Sequence, residues 1–204
     1  MSLRLLRCLL LLVGAIAFAG AAKADTVAVD GSYSFPSYGY GIPPYGGTLN
    51  GQSASFYCVD FTHDITGGMS WYVTTASLTG SDFSSTRLWS TLGSGTQTAY
   101  LEMAYLVMQM MGSTSQLQQA EDQYAIWSLT GGPNPYGTNG AIVAAALAAV
   151  QAGFNGQGFE ILTPTGSMGQ EFLVKTPEPG VLALLMIGLV VLGLLRSRIL
   201  PAHT

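Results

Sequence analysis

The chain has 204 residues and a formal net charge of −4; 49% of its residues are hydrophobic and only 9% are charged. A charged fraction this far below the usual ~25% argues against coiled coils, charged disordered tails and nucleic-acid-binding surfaces. The length suits one domain of ordinary size with a short extension at each end.

The first 24 residues show the three regions of a secretory signal peptide. Arg4 and Arg7 make a basic start, an uncharged apolar run follows, and the segment closes with the sequence Ala-Lys-Ala. Small residues at this spacing precede a signal-peptidase cut, and the apolar run is too short to be a comfortable membrane span. We therefore expect residues 1–24 to be a signal peptide and the protein to be exported.

Residues 31–51 are rich in tyrosine, glycine, serine and proline. This composition predicts extended or irregular backbone around aromatic anchors. Two interpretations stay open for the rings. They pack into the core of a loop-rich strand region, or they form an exposed aromatic surface that binds a ligand.

Strands are predicted on both sides of a helical segment. Aromatic and β-branched residues favour strands at residues 53–60 and 71–78, with Gly67-Gly68 as the turn between them. The alternation returns at residues 159–162 and 170–174. We predict an α+β fold in which a β-strand sandwich or barrel carries a helical insertion.

The helical insertion has three predicted helices. The run at residues 100–111 is apolar on nearly all sides, which indicates a buried helix. Ser115 predicts the cap of a second helix that ends near residue 129, and Asn139 predicts the cap of a third helix over residues 141–152. The apolar stripe of the second helix consists of Leu117, Ala120, Tyr124 and Trp127.

Cys58 is the one cysteine that remains when Cys8 leaves with the signal peptide. A lone thiol in an exported domain cannot form an internal disulfide. Four alternatives are open for it: an inert core residue, a pair between chains, a nucleophile that works with His63, or a sulfur consumed in another covalent bond.

The charge balance of residues 25–176 limits the class of partner. This stretch contains ten acidic residues but only two basic ones, Arg87 and Lys175. Its net charge of −8 disfavours nucleic acid and anionic lipid. Asp60, His63 and Asp64 are too few ligands to define a metal site, so we expect no metal and no cofactor.

The C-terminal segment has the features of a membrane anchor. The motif Pro177-Glu178-Pro179 is followed by fifteen apolar residues at positions 181–195 and then by Arg196 and Arg198. A helix of roughly 22 Å can insert in a ~30 Å hydrocarbon core if the arginines extend to the interface. Basic residues after the span predict a cytoplasmic C-terminus and an external domain, and a plain tail anchor is the simplest alternative.

This order of Pro-Glu-Pro motif, short apolar helix and basic cluster resembles the PEP-CTERM sorting signal of exported bacterial proteins. We assign the signal to residues 177–204, although the tail after Arg198 is longer than the pattern requires. The resemblance implies that an exosortase-type enzyme processes the protein. It also implies a membrane-anchored extracytoplasmic domain that is passed to the outer surface or to the exopolysaccharide matrix.

A second resemblance rests on two short motifs. Tyr57-Cys58 lies on a predicted strand, and Gln123-Tyr124-Ala125-Ile126-Trp127 lies on the second predicted helix. A glutamine that hydrogen-bonds to a loop explains the helical motif equally well by itself. Together the motifs resemble the thioester domains of bacterial surface adhesins, which pair a Tyr-Cys motif with a glutamine on a helix. The resemblance covers residues 53–132.

The thioester resemblance implies single-use chemistry, so the protein is not expected to be an enzyme. The Cys58 thiolate would attack the amide carbon of Gln123 and expel ammonia, and an amine on a partner would later displace the sulfur. His63 would help with protons, while Tyr57 and Trp127 would exclude water. The implied partner is an amine-bearing surface protein or matrix polymer.

Two alternatives to a thioester follow from the same residues. The chain is a non-catalytic structural or extracellular-matrix protein with a buried free cysteine, or it is a cysteine hydrolase that uses Cys58 and His63. The hydrolase has no recognisable third group and no nucleophile elbow in the sequence.

Overall fold

A computed structural model describes residues 24–176 of the chain. Apart from residue 24, the predicted signal peptide lies outside the described residues. The predicted sorting signal at residues 177–204, with its helix at residues 181–195, lies outside them as well.

Six strands form a closed antiparallel barrel with the order β1-β4-β5-β8-β7-β6. A separate two-stranded hairpin, β2 and β3, precedes β4 in the chain. The strands are β1 (Asp25–Val29), β2 (Phe35–Ser37), β3 (Tyr40–Ile42), β4 (Tyr45–Leu49), β5 (Gln52–Cys58), β6 (Ser70–Ser77), β7 (Phe159–Pro164) and β8 (Phe172–Lys175).

The helices lie between β6 and β7 in the chain, and the three longer ones pack on one another. They are α1 (Trp89–Leu92), α2 (Thr96–Gly112), α3 (Gln116–Ser128) and α4 (Asn139–Gln151). The predicted α+β fold with a helical insertion is therefore confirmed, with a barrel as its β component. None of the helices between residues 24 and 176 has the length and apolar character needed to cross a bilayer.

The barrel interior is filled largely by aromatic side chains. Phe56 and Cys58 lie on the same face of β5 because side chains alternate along a strand. Phe172 on β8 is paired directly with Cys58, and its ring stacks on that of Phe56 at a centroid distance of 5.2 Å. Trp71 on β6 approaches the same ring at 5.8 Å. The cysteine is therefore part of the packed interior.

The start of α3 is confirmed, but two details of the helical insertion were wrong. The Ser115 hydroxyl accepts a hydrogen bond from the Gln118 amide at 3.3 Å, as an N-cap does. Leu117 was expected in the apolar stripe, yet it is 58% exposed, and the residues on either side of it in the first turn of α3 are exposed as well. Asn139 does not cap α4: Thr138 holds that position, and the buried Asn139 amide donates to the Tyr124 carbonyl at 2.9 Å.

Residues 31–51 form more regular structure than their composition indicates. They contain the β2–β3 hairpin, whose turn places Tyr38 and Gly39 at φ 46° and 86°, and the barrel strand β4. Tyr45 packs against the barrel core, whereas Tyr33 and Tyr40 remain 49% and 42% exposed. The core interpretation therefore holds for Tyr45, whereas Tyr33 and Tyr40 are exposed, and ligand binding by this segment stays a prediction.

Candidate functional site

Cys58 is the last residue of β5 and is fully buried. Its thiol donates a hydrogen bond to the Asp60 carbonyl oxygen at 3.2 Å. Burial raises the pKa of this thiol to about 12, an effect that the nearby Trp127 indole opposes. The group is therefore a neutral thiol at physiological pH, and losing its proton in place is unfavourable.

Gln123 on α3 is also fully buried, and its side chain points at the end of β5. Its amide nitrogen donates to the carbonyl oxygen of Cys58 at 2.8 Å. Because the carbonyl and the thiol belong to the same residue, this bond holds the carboxamide close to the sulfur. The amide oxygen of Gln123 has no hydrogen-bond partner within residues 24–176.

Trp127 lies one turn after Gln123 and is 2% exposed. Its indole N–H has no acceptor of standard geometry in the described part of the chain, yet it lies near enough to the thiol to lower the pKa of Cys58. The ring packs against Tyr40 and Phe61 at centroid distances of 5.8 and 5.6 Å. These three rings separate the thiol and the carboxamide from solvent.

Tyr57 faces away from the thiol. It is next to Cys58 on β5, so its side chain points to the opposite face of the strand. There it is 6% exposed and lines a separate cavity with Ser53 and Ser55. Tyr57 therefore lies on the outer face of the barrel, away from the thiol.

His63 belongs to a polar cluster beside the site. Its Nδ1 lies 2.7 Å from the Asp60 carboxylate and 2.9 Å from an Arg87 nitrogen. Asp60 connects His63 to Cys58, because its carboxylate contacts the imidazole and its carbonyl oxygen accepts the hydrogen bond from the thiol. The imidazole is thus held by Asp60 and Arg87, and its connection to the sulfur is through Asp60.

The sequence analysis did not identify a buried ionic network around Arg87. The guanidinium forms an ion pair with Asp60 and donates to the Gly169 carbonyl at 2.9 Å, and the Arg87 amide donates to the Glu171 carboxylate at 3.0 Å. Hydroxyls of Tyr100 and Thr163 donate to the same carboxylate. A single arginine among many acids was the one signal in the sequence that pointed to this network.

Comparison of the chain with protein-family models, with curated proteins and with solved structures finds no match. The chemistry of the site therefore has to follow from its own residues. Across residues 24–176, no group of three or more His, Cys, Asp and Glu side chains is arranged to hold a metal ion.

A thiol, a carboxamide and an indole N–H lie near one another in a buried environment. Cys58 carries the thiol, Gln123 carries the carboxamide, and the Trp127 N–H has no acceptor of standard geometry among residues 24–176. Groups held in fixed positions lower the entropic cost of a reaction, and a site from which water is excluded strengthens electrostatic interactions. This arrangement suits one acyl transfer between the two side chains.

Proposed function

We propose that the protein is an exported surface protein that attaches covalently to amine-bearing partners through a thioester between Cys58 and Gln123. One observation carries the proposal. The carboxamide of Gln123 is held against Cys58 by a hydrogen bond of 2.8 Å, and both residues are completely buried. These two residues are 65 positions apart in the sequence, and the carboxamide reaches the backbone of the residue that carries the free thiol of the domain.

Formation of the thioester conserves atoms without a further reactant. The Cys58 sulfur bonds to the amide carbon of Gln123, the carbon–nitrogen bond breaks, and the thiol proton leaves with the nitrogen as ammonia. A neutral amide is a poor electrophile, so the barrier has to be lowered by positioning and by stabilising charge on the amide oxygen. Burial raises the pKa of the Cys58 thiol to about 12, so loss of the thiol proton adds to this barrier, and the proton has to leave as the sulfur bonds to the carbon.

We infer that Trp127 stabilises that charge. The Gln123 amide oxygen and the Trp127 indole N–H are both buried without partners of standard geometry among residues 24–176, and the two residues are one turn apart on α3. The indole lies near the Cys58 thiol, whose pKa it lowers, and its N–H would be attracted to the amide oxygen when that oxygen gains negative charge. We assign Trp127 as the oxyanion donor, a role in addition to excluding water.

Attachment consumes the thioester. An amine of a partner bonds to the Gln123 acyl carbon, the carbon–sulfur bond breaks, and Cys58 regains a proton. The product is an amide, so the link is permanent and the reaction occurs once per molecule. Lys175 is the only lysine in residues 25–176, which limits reaction of the thioester with amines of its own domain.

The proposed location follows from the two ends of the sequence. The signal peptide at residues 1–24 supports export, and the motif Pro177-Glu178-Pro179 with its apolar run supports anchoring and processing by an exosortase-type enzyme. An acidic domain with net charge −8 favours amines, which are cationic at neutral pH, as partners. The proposed partner is a surface protein or a matrix polymer that carries such groups.

One observation favours a structural protein without a thioester. The Cys58 thiol already donates to the Asp60 carbonyl, so it is satisfied as a buried free cysteine. In that case Gln123 would serve only to hydrogen-bond α3 to β5 in the interior. The mass of the intact protein distinguishes a thioester-containing protein from a structural protein without one.

The deciding experiment compares intact masses of the wild-type protein and Cys58→Ala, prepared identically. We expect the wild type to fall short of its sequence mass by one ammonia and to resist alkylation after denaturation, while the variant has its full mass. Gln123→Ala should restore a thiol that is alkylated. A wild-type protein with its full sequence mass and an alkylatable Cys58 would contradict the thioester and support the structural function.

A further inference from the structure

We propose that a cavity beside Trp127 binds the alkylammonium group of the partner before covalent attachment. The cavity has a volume of about 350 Å³ and lies between the β2–β3 region and the loop that follows β5. This proposal rests on the proposed thioester for its purpose, but the binding it predicts does not require a thioester.

The cavity walls are aromatic. Tyr33 and Tyr40 stand at the cavity and are about half exposed, while Phe61 and Trp127 lie deeper. The rings of Tyr40, Phe61 and Trp127 contact one another at centroid distances of 5.3 to 5.8 Å. Aromatic faces grouped in this way attract organic cations, and they also cover the methylene stem of an alkylammonium ion.

The polar groups of the cavity are acceptors. Asp64 is the only charged side chain among the described residues that line it. Gln170 is 8% exposed; its amide nitrogen donates to the His63 carbonyl, and its oxygen is buried without a partner within residues 24–176. An ammonium group has three N–H donors and needs acceptors of this kind. The Asp64 carboxylate and the rings therefore match a primary alkylammonium ion, and a shift of the buried Gln170 amide would add its unpaired oxygen as a further acceptor.

The cavity and the thioester site share a wall. Trp127 lines the cavity and also lies beside the Cys58 thiol. A group held against Trp127 is thus separated from the buried Gln123 side chain by the indole, which has to move aside before the amine attacks. On attachment, the bound ammonium releases one proton to solvent, its nitrogen bonds to the acyl carbon, and its second proton passes to the Cys58 sulfur as the carbon–sulfur bond breaks.

The aromatic lining of the cavity favours an unbranched amine, which is the chemistry of a lysine side chain. Ring faces cover a methylene stem, whereas they would leave the hydroxyls of an amino sugar without hydrogen-bond partners. Tyr33 is itself fixed against the hairpin, because its ring packs where a side chain on Gly41 would stand. We therefore expect lysine-like ligands to be preferred to amino sugars.

The test measures binding of Nα-acetyl-lysine methylamide to full-length Cys58→Ala, which cannot form a thioester. We expect saturable millimolar binding by NMR titration, no saturable binding of 1-butanol, and weaker binding of glucosamine. Asp64→Asn and Tyr40→Ala should each weaken binding about fivefold. Asp82→Asn, which removes a carboxylate outside the cavity, should leave it unchanged.

The outcomes separate the two proposals. No saturable binding in a folded Cys58→Ala protein overturns the cavity proposal, and so does glucosamine binding as tightly as the lysine derivative. Neither result changes the conclusion drawn from the mass of the wild type, because loss of ammonia tests the thioester and not the cavity.

If Cys58→Ala does not fold, cavity binding is tested in the wild type. There, the rate of butylamine uptake should saturate with concentration, and butyltrimethylammonium, which cannot be acylated, should inhibit it competitively; a rate that stays linear overturns the cavity proposal.

Discussion

Gln123 and Trp127 lie one turn apart on α3, and each has a buried polar atom that finds no partner in residues 24–176. One atom is an acceptor and the other a donor. Most buried polar groups in proteins are hydrogen-bonded, and a complementary pair on one face of a helix is compatible with a role in chemistry. In the proposed acyl transfer, the indole N–H would donate to the amide oxygen as that oxygen gains negative charge.

Trp127→Phe tests this role because it removes the N–H and keeps an aromatic ring. We expect methylamine uptake by the folded variant to be about 10²-fold slower, as is typical when one oxyanion donor is lost. The rate is measured by the increase in intact mass over time. Any thioester that remains should still shield Cys58 from alkylation.

The matched control for that variant is Trp71→Phe. Trp71 also has a buried indole N–H with no partner in the described chain, but it lies in the barrel beside Phe172. Its loss should change the free energy of unfolding without slowing uptake. Equal rates for Trp127→Phe and the wild type would remove Trp127 from the chemistry.

A second prediction concerns the requirement for both partners of the thioester. Cys58→Ala and Gln123→Ala should each abolish methylamine incorporation, because one removes the sulfur and the other removes the acyl carbon. Gln116→Ala is the control: it changes an exposed glutamine at the start of the same helix and should incorporate methylamine at the wild-type rate. Incorporation by either of the first two variants, mapped by peptide mass, would contradict the pairing.

Local signals in the sequence predicted much of the fold. The strand at residues 53–60, the cap at Ser115 and the apolar run at residues 100–111 each depend on near neighbours, and each lies where the pattern indicated. Barrel closure could not be predicted in this way. It depends on the pairing of β5 with β8, which joins Cys58 to Phe172 across more than half of the chain.

The candidate site shows the same difference between features that local sequence predicts and features that depend on long-range contacts. Motifs singled out Cys58 and Gln123, and in the structure the Gln123 side chain donates to the backbone carbonyl of Cys58. The network of Asp60, Arg87 and Glu171 has no motif, because its members come from three distant segments that meet only when the barrel closes. Tyr57 shows the limit of a motif: adjacency to Cys58 in the sequence puts its side chain on the opposite face of the strand.

A third prediction follows from Asp122, which is buried one residue before Gln123. Burial raises its pKa from 3.8 to about 6, although the Gln118 amide donates to both carboxylate oxygens at 3.2 Å. The folded protein therefore holds a proton that the unfolded chain has already lost between these pH values. Stability should fall as pH rises from about 4 to about 6 and should then level off, at a total cost of about 2–3 kcal/mol.

Asp122→Asn isolates this contribution, because Glu102 and Glu160 also have pKa values raised by burial and act in the same direction. The variant keeps the shape of the side chain and cannot ionise. We expect it to match the wild type near pH 4 and to exceed its free energy of unfolding by about 2–3 kcal/mol at pH 7. Urea denaturation at both pH values measures the difference; a constant difference between them would contradict the raised pKa.

The last prediction compares the two basic residues of the domain. Arg87→Met leaves the carboxylates of Asp60 and Glu171 buried without their cation, and breaking a buried pair in this way costs about 3–5 kcal/mol. Lys175→Met removes the same charge from an exposed position that contacts the Phe159 ring at 5.8 Å, so it should change stability by less than about 1 kcal/mol.

Urea denaturation of both variants measures the difference, and equal losses would mean that Arg87 acts only through net charge. A large loss confined to Arg87→Met would show that the network holds β8 and the loop after β5 together. That loop carries Asp60, whose carbonyl accepts the hydrogen bond from the Cys58 thiol.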